Sequence, residues 1–137
     1  MKVTPYLNFD GTCAEAFRFY EQVLGGKIED MMTYNDMPEM AEHMPPDARG
    51  QIMHACLDLG GQKLMASDSP PGQHRVAQGL WVSLHFDRAS EGKRVFDALA
   101  EGGQVQMPFE KTPWASGFGM AVDRFGTPWM VNCEQEG

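Results

Sequence analysis

Among the polar side chains of this sequence, His54, Asp68, Ser83 and His85 are the candidates to weigh for holding an ion or moving a proton. Imidazole changes charge near neutral pH and a carboxylate can orient it, so His54, Asp68 and His85 form a candidate set for a divalent metal or for acid–base work. The competing explanation is local, with each histidine bonded to a neighbour and Asp68 capping a turn. Ser83 and His85 should share one strand face with Trp81, because side chains alternate with a period of two. Trp81, Trp114, Phe118 and Trp129 could line a pocket for a planar or apolar ligand, since small-molecule sites combine an apolar wall with a few polar anchors. Core packing accounts for the same rings equally well. Trp114 is the best pocket candidate, because it follows Pro113 in a loop where a core role is less automatic. His43 and His74 fall in loops and are expected to face solvent. The sequence has no G-x-G-x-x-G, P-loop or G-x-S-x-G pattern, which argues against nucleotide, dinucleotide and serine-hydrolase chemistry.

Strands and helices must position these residues. Residues 114–132 read as a β-hairpin, with short apolar runs at 118–122 and 128–132 around a turn cluster at 123–126. Residues 2–9 alternate as a strand that Pro5 restricts to an edge or to a place where its missing N–H is not needed. Asp10, Gly11 and Thr12 offer cap chemistry to a helix in which Cys13, Ala16, Phe17, Tyr20, Val23 and Leu24 recur at helical spacing, and Gly25-Gly26 should end it in a left-handed cap. Residues 28–34 form a second strand. Residues 35–50 carry Pro38, Pro45 and Pro46 with Met37, Met40 and Met44, and are expected either to cover a cleft or to form a solvated loop with one helical turn. Strands at 52–59 and 63–67 join at Gly60-Gly61, and 68–78 read as a linker. A strand at 80–86 precedes a helix at 89–101, with Val95, Phe96 and Leu99 on one face and Gly102-Gly103 closing it. Residues 104–107 are a further strand and 108–113 a loop.

A chain of 137 residues suits one domain, or two small halves sharing a core. Its formal charge of −8 argues against a nucleic-acid partner, because phosphate binding needs a basic face. No apolar run is long enough to cross a bilayer, and residues 1–6 show no apolar signal segment, so a cytoplasmic protein without a membrane partner is expected. Cys13, Cys56 and Cys133 are odd in number and lack C-x-x-C spacing, which points to buried thiols in a reducing compartment.

Sliding the chain on itself by 77 residues brings Phe9-Asp10 onto Phe86-Asp87, Phe19 onto Phe96, Gly25-Gly26 onto Gly102-Gly103 and Ile28 onto Val105. Each half then reads as strand, helix and three strands, the last two forming a hairpin. Half a sheet with one helix is too small to be stable alone, so the halves should pair.

The helix ending F-R-F-Y-E-Q-V-L-G-G at 17–26, the segment M-H-A-C-L-D-L-G-G at 53–61 followed by L-M-A-S-D at 64–68, and F-G-M-A-V-D-R-F-G-T-P-W-M-V-N at 118–132 carry a resemblance. Together they resemble the PhnB-like branch of the vicinal oxygen chelate superfamily, which includes glyoxalase I, extradiol dioxygenases and bleomycin-binding proteins. The likeness covers nearly the whole chain, and D-R-F-G-T-P-W at 123–129 is its most specific part. It implies an α+β glyoxalase/bleomycin-resistance fold of two paired βαβββ modules, each a cup-shaped half-barrel: module one 1–68, linker 69–79, module two 80–137. It also implies a homodimer. Superfamily enzymes hold a divalent metal with His and Glu side chains on the first and fourth strands of each module. Those positions fall at or beside Pro5, Met65, Trp81 and Met130, none of which chelates a hard or borderline ion. The expectation is therefore a cofactor-free binder of a small apolar or aromatic molecule, with Trp81, Ser83, His85, Trp114, Phe118 and Trp129 lining the cup. The alternative is a metal-dependent lyase, isomerase or dioxygenase with its ion displaced to His54, Asp68 and His85. Some relatives carry a demethylubiquinone methyltransferase label, but no glycine-rich strand-to-helix turn is present to hold S-adenosylmethionine.

Overall fold

A computed structural model describes residues 1–134; the last three residues of the expected second module, 135–137, lie outside them. The chain divides into two compact units, Met1–Arg75 and the remainder from Val76.

In the first unit, β1 (Tyr6–Phe9), β2 (Lys27–Thr33), β3 (Ile52–Asp58) and β4 (Lys63–Asp68) form a four-stranded sheet in the order β1-β4-β3-β2. β1 runs parallel to β4, and the other neighbours are antiparallel. β1 is shorter than the expected 2–9 and starts just after Pro5, which cannot donate to a ladder; its carbonyl still accepts from Met65 N–H at 3.1 Å. Helix α1 (Cys13–Leu24) buries Cys13, Ala16, Phe17, Tyr20 and Val23. Its Phe17 ring meets Phe9 edge to face at 6.4 Å, joining helix and sheet. The helix ends where Gly25 adopts φ 77° and returns its N–H to Glu21 O.

The second unit repeats this plan. β5 (Val82–Phe86), β6 (Gln104–Glu110), β7 (Gly117–Val122) and β8 (Pro128–Cys133) are ordered β5-β8-β7-β6, with β5 parallel to β8. β6 runs beyond the expected 104–107 and includes Pro108, which an edge strand tolerates because one side of its ladder is unpaired. Helix α3 (Ala89–Ala100) packs Phe96 on Ala121, Val131 and Cys133. A Cβ on Gly92 would lie 2.1 Å from Cys133 Sγ, so the helix approaches β8 only because that side chain is absent.

The repeat corrects one expected pairing. Buried Phe96 corresponds to buried Tyr20, while Phe19 is half-buried; Ala16 with Gly92 and Val23 with Leu99 follow the same shift. The β5–α3 connection is one residue shorter than its counterpart, and the connection after α3 is one longer, which restores the spacing by the next strand. The extra residue changes the turn. Glu101 (φ −62°, ψ 124°) and Gly102 (φ 75°) form a type II turn closed by Gly103 N–H to Ala100 O at 2.9 Å, rather than a left-handed cap.

Residues 35–50 are neither open loop nor bare cover. A 3₁₀ turn (Tyr34–Asp36), α2 (Pro38–Ala41) and a second 3₁₀ turn (Pro46–Ala48) gather Tyr34, Met44 and Ala48 into a small core against Met53. Met37 and Met40 remain exposed.

Candidate functional site

In each unit the helix covers one face of the sheet and leaves the other open. The alternation of β8 places Trp129, Val131 and Cys133 on the covered face and Met130 and Asn132 on the other; in β7, Phe118 and Met120 are likewise on the open side. The register aligns two rows across the second sheet. Ser83, Met130, Met120 and Met107 form one, and His85, Asn132, Phe118 and Glu110 the next. Ser83 Oγ lies 3.1 Å from His85 Nε2, and Asn132 Nδ2 lies 3.5 Å from His85 Nδ1, at the limit of a hydrogen bond. Trp114 stands edge to face on Phe118 with ring centroids 5.6 Å apart, yet remains 60% exposed. The face therefore combines thioethers and two rings with a polar chain along one side.

Four of the six expected lining residues lie on or beside this side of the unit. Ser83, His85, Phe118 and Trp114 come together. Trp81 is half-buried and precedes the strand, because β5 starts at Val82 rather than at 80. Trp129 belongs to the interior: it is 1% exposed and its indole N–H donates to Asp123 Oδ2 at 2.8 Å. Asn132 and Met120 were absent from the expected set, although the same period-two count that selected Ser83 and His85 leads to them.

Two members of the displaced metal set, His54 and Asp68, stand on opposite faces of the first sheet. Asp68 ends β4 on the helix-covered side, 1% exposed, and both its oxygens are occupied: Oδ1 accepts from Cys13 N–H at 3.0 Å and Oδ2 from Ile52 N–H at 2.8 Å. Its carboxylate therefore supplies the helix cap that Asp10, Gly11 and Thr12 were expected to provide; Thr12 makes no side-chain cap bond. Tyr34 O–H also donates to the Asp68 carbonyl at 2.8 Å. His54 lies on the open side of the first sheet, with Nδ1 3.1 Å from Tyr6 Oη and its ring stacked on Tyr6 at 5.8 Å. His85 belongs to the other unit. Among the described residues no three His, Cys, Asp or Glu side chains gather as a metal-binding group.

At the first- and fourth-strand positions where the superfamily's ligands would stand, the register pairs Tyr6 with Met65 and Ser83 with Met130. Pro5 precedes its strand and Trp81 precedes the next, so the facing residues are shifted from those expected. A phenol, a hydroxyl and two thioethers do not fit a hard divalent ion.

All three cysteines are buried. Burial, and secondarily the Asp68 charge, pushes the Cys13 thiol from 9.0 up to about 12. Burial followed by the Glu29 carboxylate, 3.4 Å from its sulfur, raises Cys56. Thiolate is the reactive form, so Cys13 and Cys56 are expected to resist iodoacetamide at pH 8 in the native protein and to react fully in denaturant. Rapid native labelling at either residue, read by mass spectrometry, would contradict this packing. Glu29 in turn pairs with Lys63, whose hydrogen bond lowers its pKa. His43 is exposed as expected, but His74 is half-buried with Nδ1 shut off from solvent. No helix among the described residues is long and apolar enough to cross a membrane.

The chain is similar to known proteins along nearly its whole length. Protein YjdN of Escherichia coli is 36% identical over 96% of this chain and 95% of its own length. The structure of protein PA1353 from Pseudomonas aeruginosa matches with a TM-score of 0.90 at 48% identity, covering 99% of each chain. A PhnB protein from Bacillus cereus matches with a TM-score of 0.81 at 26% identity over 97% of this chain and 99% of that one. The fosfomycin resistance protein FosX from Listeria monocytogenes, at 7% identity and a TM-score of 0.62 over 98% of this chain and 92% of that one, shares the fold alone. The α+β architecture of two βαβββ modules is thus of the glyoxalase/bleomycin-resistance type. With residues 1–132 matching the family described as 3-demethylubiquinone-9 3-methyltransferase, the chain belongs to that PhnB-like family.

Proposed function

We propose that the open face of the second sheet binds a planar, largely apolar small molecule without a resident metal and without transforming it. The observation that carries this reading is Trp114, 60% exposed and held edge-on to Phe118 beside a floor of Met120 and Met130. A ring laid against these groups recovers apolar contact that solvent cannot supply, at roughly 25 cal/mol for each Å² buried. Methionine adapts to different ring outlines, which suits such a surface. The donor set at the superfamily's ligand positions supports the metal-independent part. The family description names a methyl transfer, but the strand-to-helix turns here are short and the start of α1 is occupied by the Asp68 carboxylate, so ring binding is the better-supported activity.

Titration with N-methyl-4-quinolone, followed by tryptophan quenching and by amide shifts, tests the site. Trp114→Ala is expected to weaken binding about tenfold, the scale of losing one aromatic contact. Absence of binding, or binding indifferent to Trp114→Ala, would defeat the reading. Dialysis against Ni²⁺, Zn²⁺, Mn²⁺ and Fe²⁺ is expected to leave less than stoichiometric metal; a stoichiometric ion lost on His54→Ala or His85→Ala would restore the enzyme alternative.

We also propose that the chain forms a homodimer. β6 is an edge strand with Val105 47% and Met107 43% exposed, a surface that invites pairing. A monomer in sedimentation at micromolar concentration would contradict this. Should Trp114→Ala convert a dimer to monomer while leaving the quinolone titration unchanged, the open face is an interface between copies and the ligand reading fails.

A further inference from the structure

The open face of the first sheet carries soft donors side by side. Cys56 of β3 stands opposite Met65 of β4, and Met65 stands opposite Tyr6 of β1. His54, two residues before Cys56, shares its face. Directly opposed antiparallel residues hold their Cβ atoms roughly 4.5–5.5 Å apart, a gap that one ion bridges when sulfur reaches it from both sides. The imidazole comes to the same place across the sheet. β4 separates β1 from β3, yet the Tyr6 and His54 rings stack at 5.8 Å and Tyr6 Oη lies 3.1 Å from His54 Nδ1, so the two rings meet above β4, beside Met65. In the tautomer whose Nδ1–H donates to the phenol oxygen, Nε2 keeps its lone pair for an ion and the bond to Tyr6 holds the ring still.

We propose that Cys56, Met65 and His54 form a binding site for a soft monovalent ion, Cu(I). Thiolate, thioether and imidazole are the donors that Cu(I) selects, whereas hard ions require carboxylate and carbonyl oxygen. The carboxylate nearest the thiol is engaged: Glu29 pairs with Lys63 while accepting from Cys56 Sγ–H at 3.4 Å. Charged groups around the sulfur are Glu29 and Asp30 on β2, Asp58 on β3 and Lys63 on β4, with the Tyr6 phenol and the His54 imidazole toward β1. Carboxylates outnumber the one ammonium, so the surroundings favour a cation. Binding exchanges the S–H bond for a Cu–S bond: Cys–SH and Cu⁺ give Cys–S–Cu and H⁺, the proton leaves to solvent, and copper keeps its oxidation state. The site lies wholly within the first unit and stands apart from the ring-binding face of the second.

Anaerobic titration of the full chain against the Cu(I)–bicinchoninate complex is expected to show one ion taken up per chain. The thiol is held above its ordinary value and is protonated at neutral pH, so one proton must leave and the apparent affinity should rise about tenfold from pH 7 to pH 8. Met65→Leu keeps the side-chain volume and removes the thioether; it is expected to weaken binding about tenfold, as is His54→Ala. Cys56→Ser should abolish the pH dependence together with most of the affinity. Met40→Leu, which removes an exposed thioether elsewhere in the first unit, should change neither. In methyl spectra the ion should shift Met65 in preference to Met40, a readout that stands even if Cys56→Ser fails to fold. No stoichiometric uptake would overturn the proposal. So would uptake that is independent of pH, or that survives Met65→Leu and His54→Ala unchanged.

Discussion

Asp123→Ala is expected to destabilise the protein by about 3–5 kcal/mol, because it strips buried donors of a shared acceptor. Asp123 is 3% exposed. Its Oδ1 accepts from Phe125 N–H at 2.9 Å and Thr127 N–H at 3.0 Å, while Oδ2 accepts from the Trp129 indole N–H at 2.8 Å. The first two bonds shape the β7–β8 turn, in which Gly126 takes φ 93°. The third fixes the largest buried ring of the second unit. This explains why D-R-F-G-T-P-W is a tight motif: one carboxylate organises the turn at its start and the tryptophan at its end. Asp123→Asn keeps an oxygen for the two backbone donors but sets an NH₂ against the indole N–H, so a smaller loss of about 1–2 kcal/mol is expected. Urea denaturation gives the ordering, and near-ultraviolet circular dichroism should lose Trp129 asymmetry in the alanine variant first. Equal stability of aspartate and alanine proteins would mean that the carboxylate does not organise the hairpin.

Asp68→Ala should cost about 3 kcal/mol, since Cys13 N–H and Ile52 N–H would be left buried without their charged acceptor. The consequence is local to the first unit: the start of α1 and the entry to β3 are tied to the end of β4 by this one side chain. Asp68→Asn should recover only part of the loss, because one of its two polar atoms becomes a donor facing a donor. Hydrogen exchange at Cys13 and Ile52 is expected to accelerate in the alanine variant more than exchange at the β7–β8 ladder. Undiminished protection at those two amides would refute the capping role.

Asp68 also shows why the site was harder to read than the fold. A carboxylate at the end of a strand looks the same in sequence whether it faces an open surface or a helix. Its neighbours in β4 alternate, and the count places Asp68 with buried Leu64 and Ala66 rather than with Met65 and Ser67. The parity was available, but the helix N-terminus and the Ile52 amide that the carboxylate satisfies come from distant parts of the chain. His54 and His85 are similar: each looked like a ligand, and each has an intraunit polar neighbour, Tyr6 in one case and Ser83 in the other.

By itself the sequence determined the repeated strand–helix–three-strand plan, the breaks at Gly25, Gly60-Gly61 and Gly102, and the burial of the three cysteines. These follow from period, composition and backbone freedom, which are local properties. Only the tertiary structure decided which polar groups were free to act. Asp68 and Trp129 were drawn inside because distant backbone and side-chain partners satisfied them there. Ser83, His85, Asn132 and Trp114 were left outward because the sheet register and the helix on the opposite face gave them nothing further to bind. Burial of a polar group depends on whether a partner meets it, and that meeting is a property of the fold rather than of any segment.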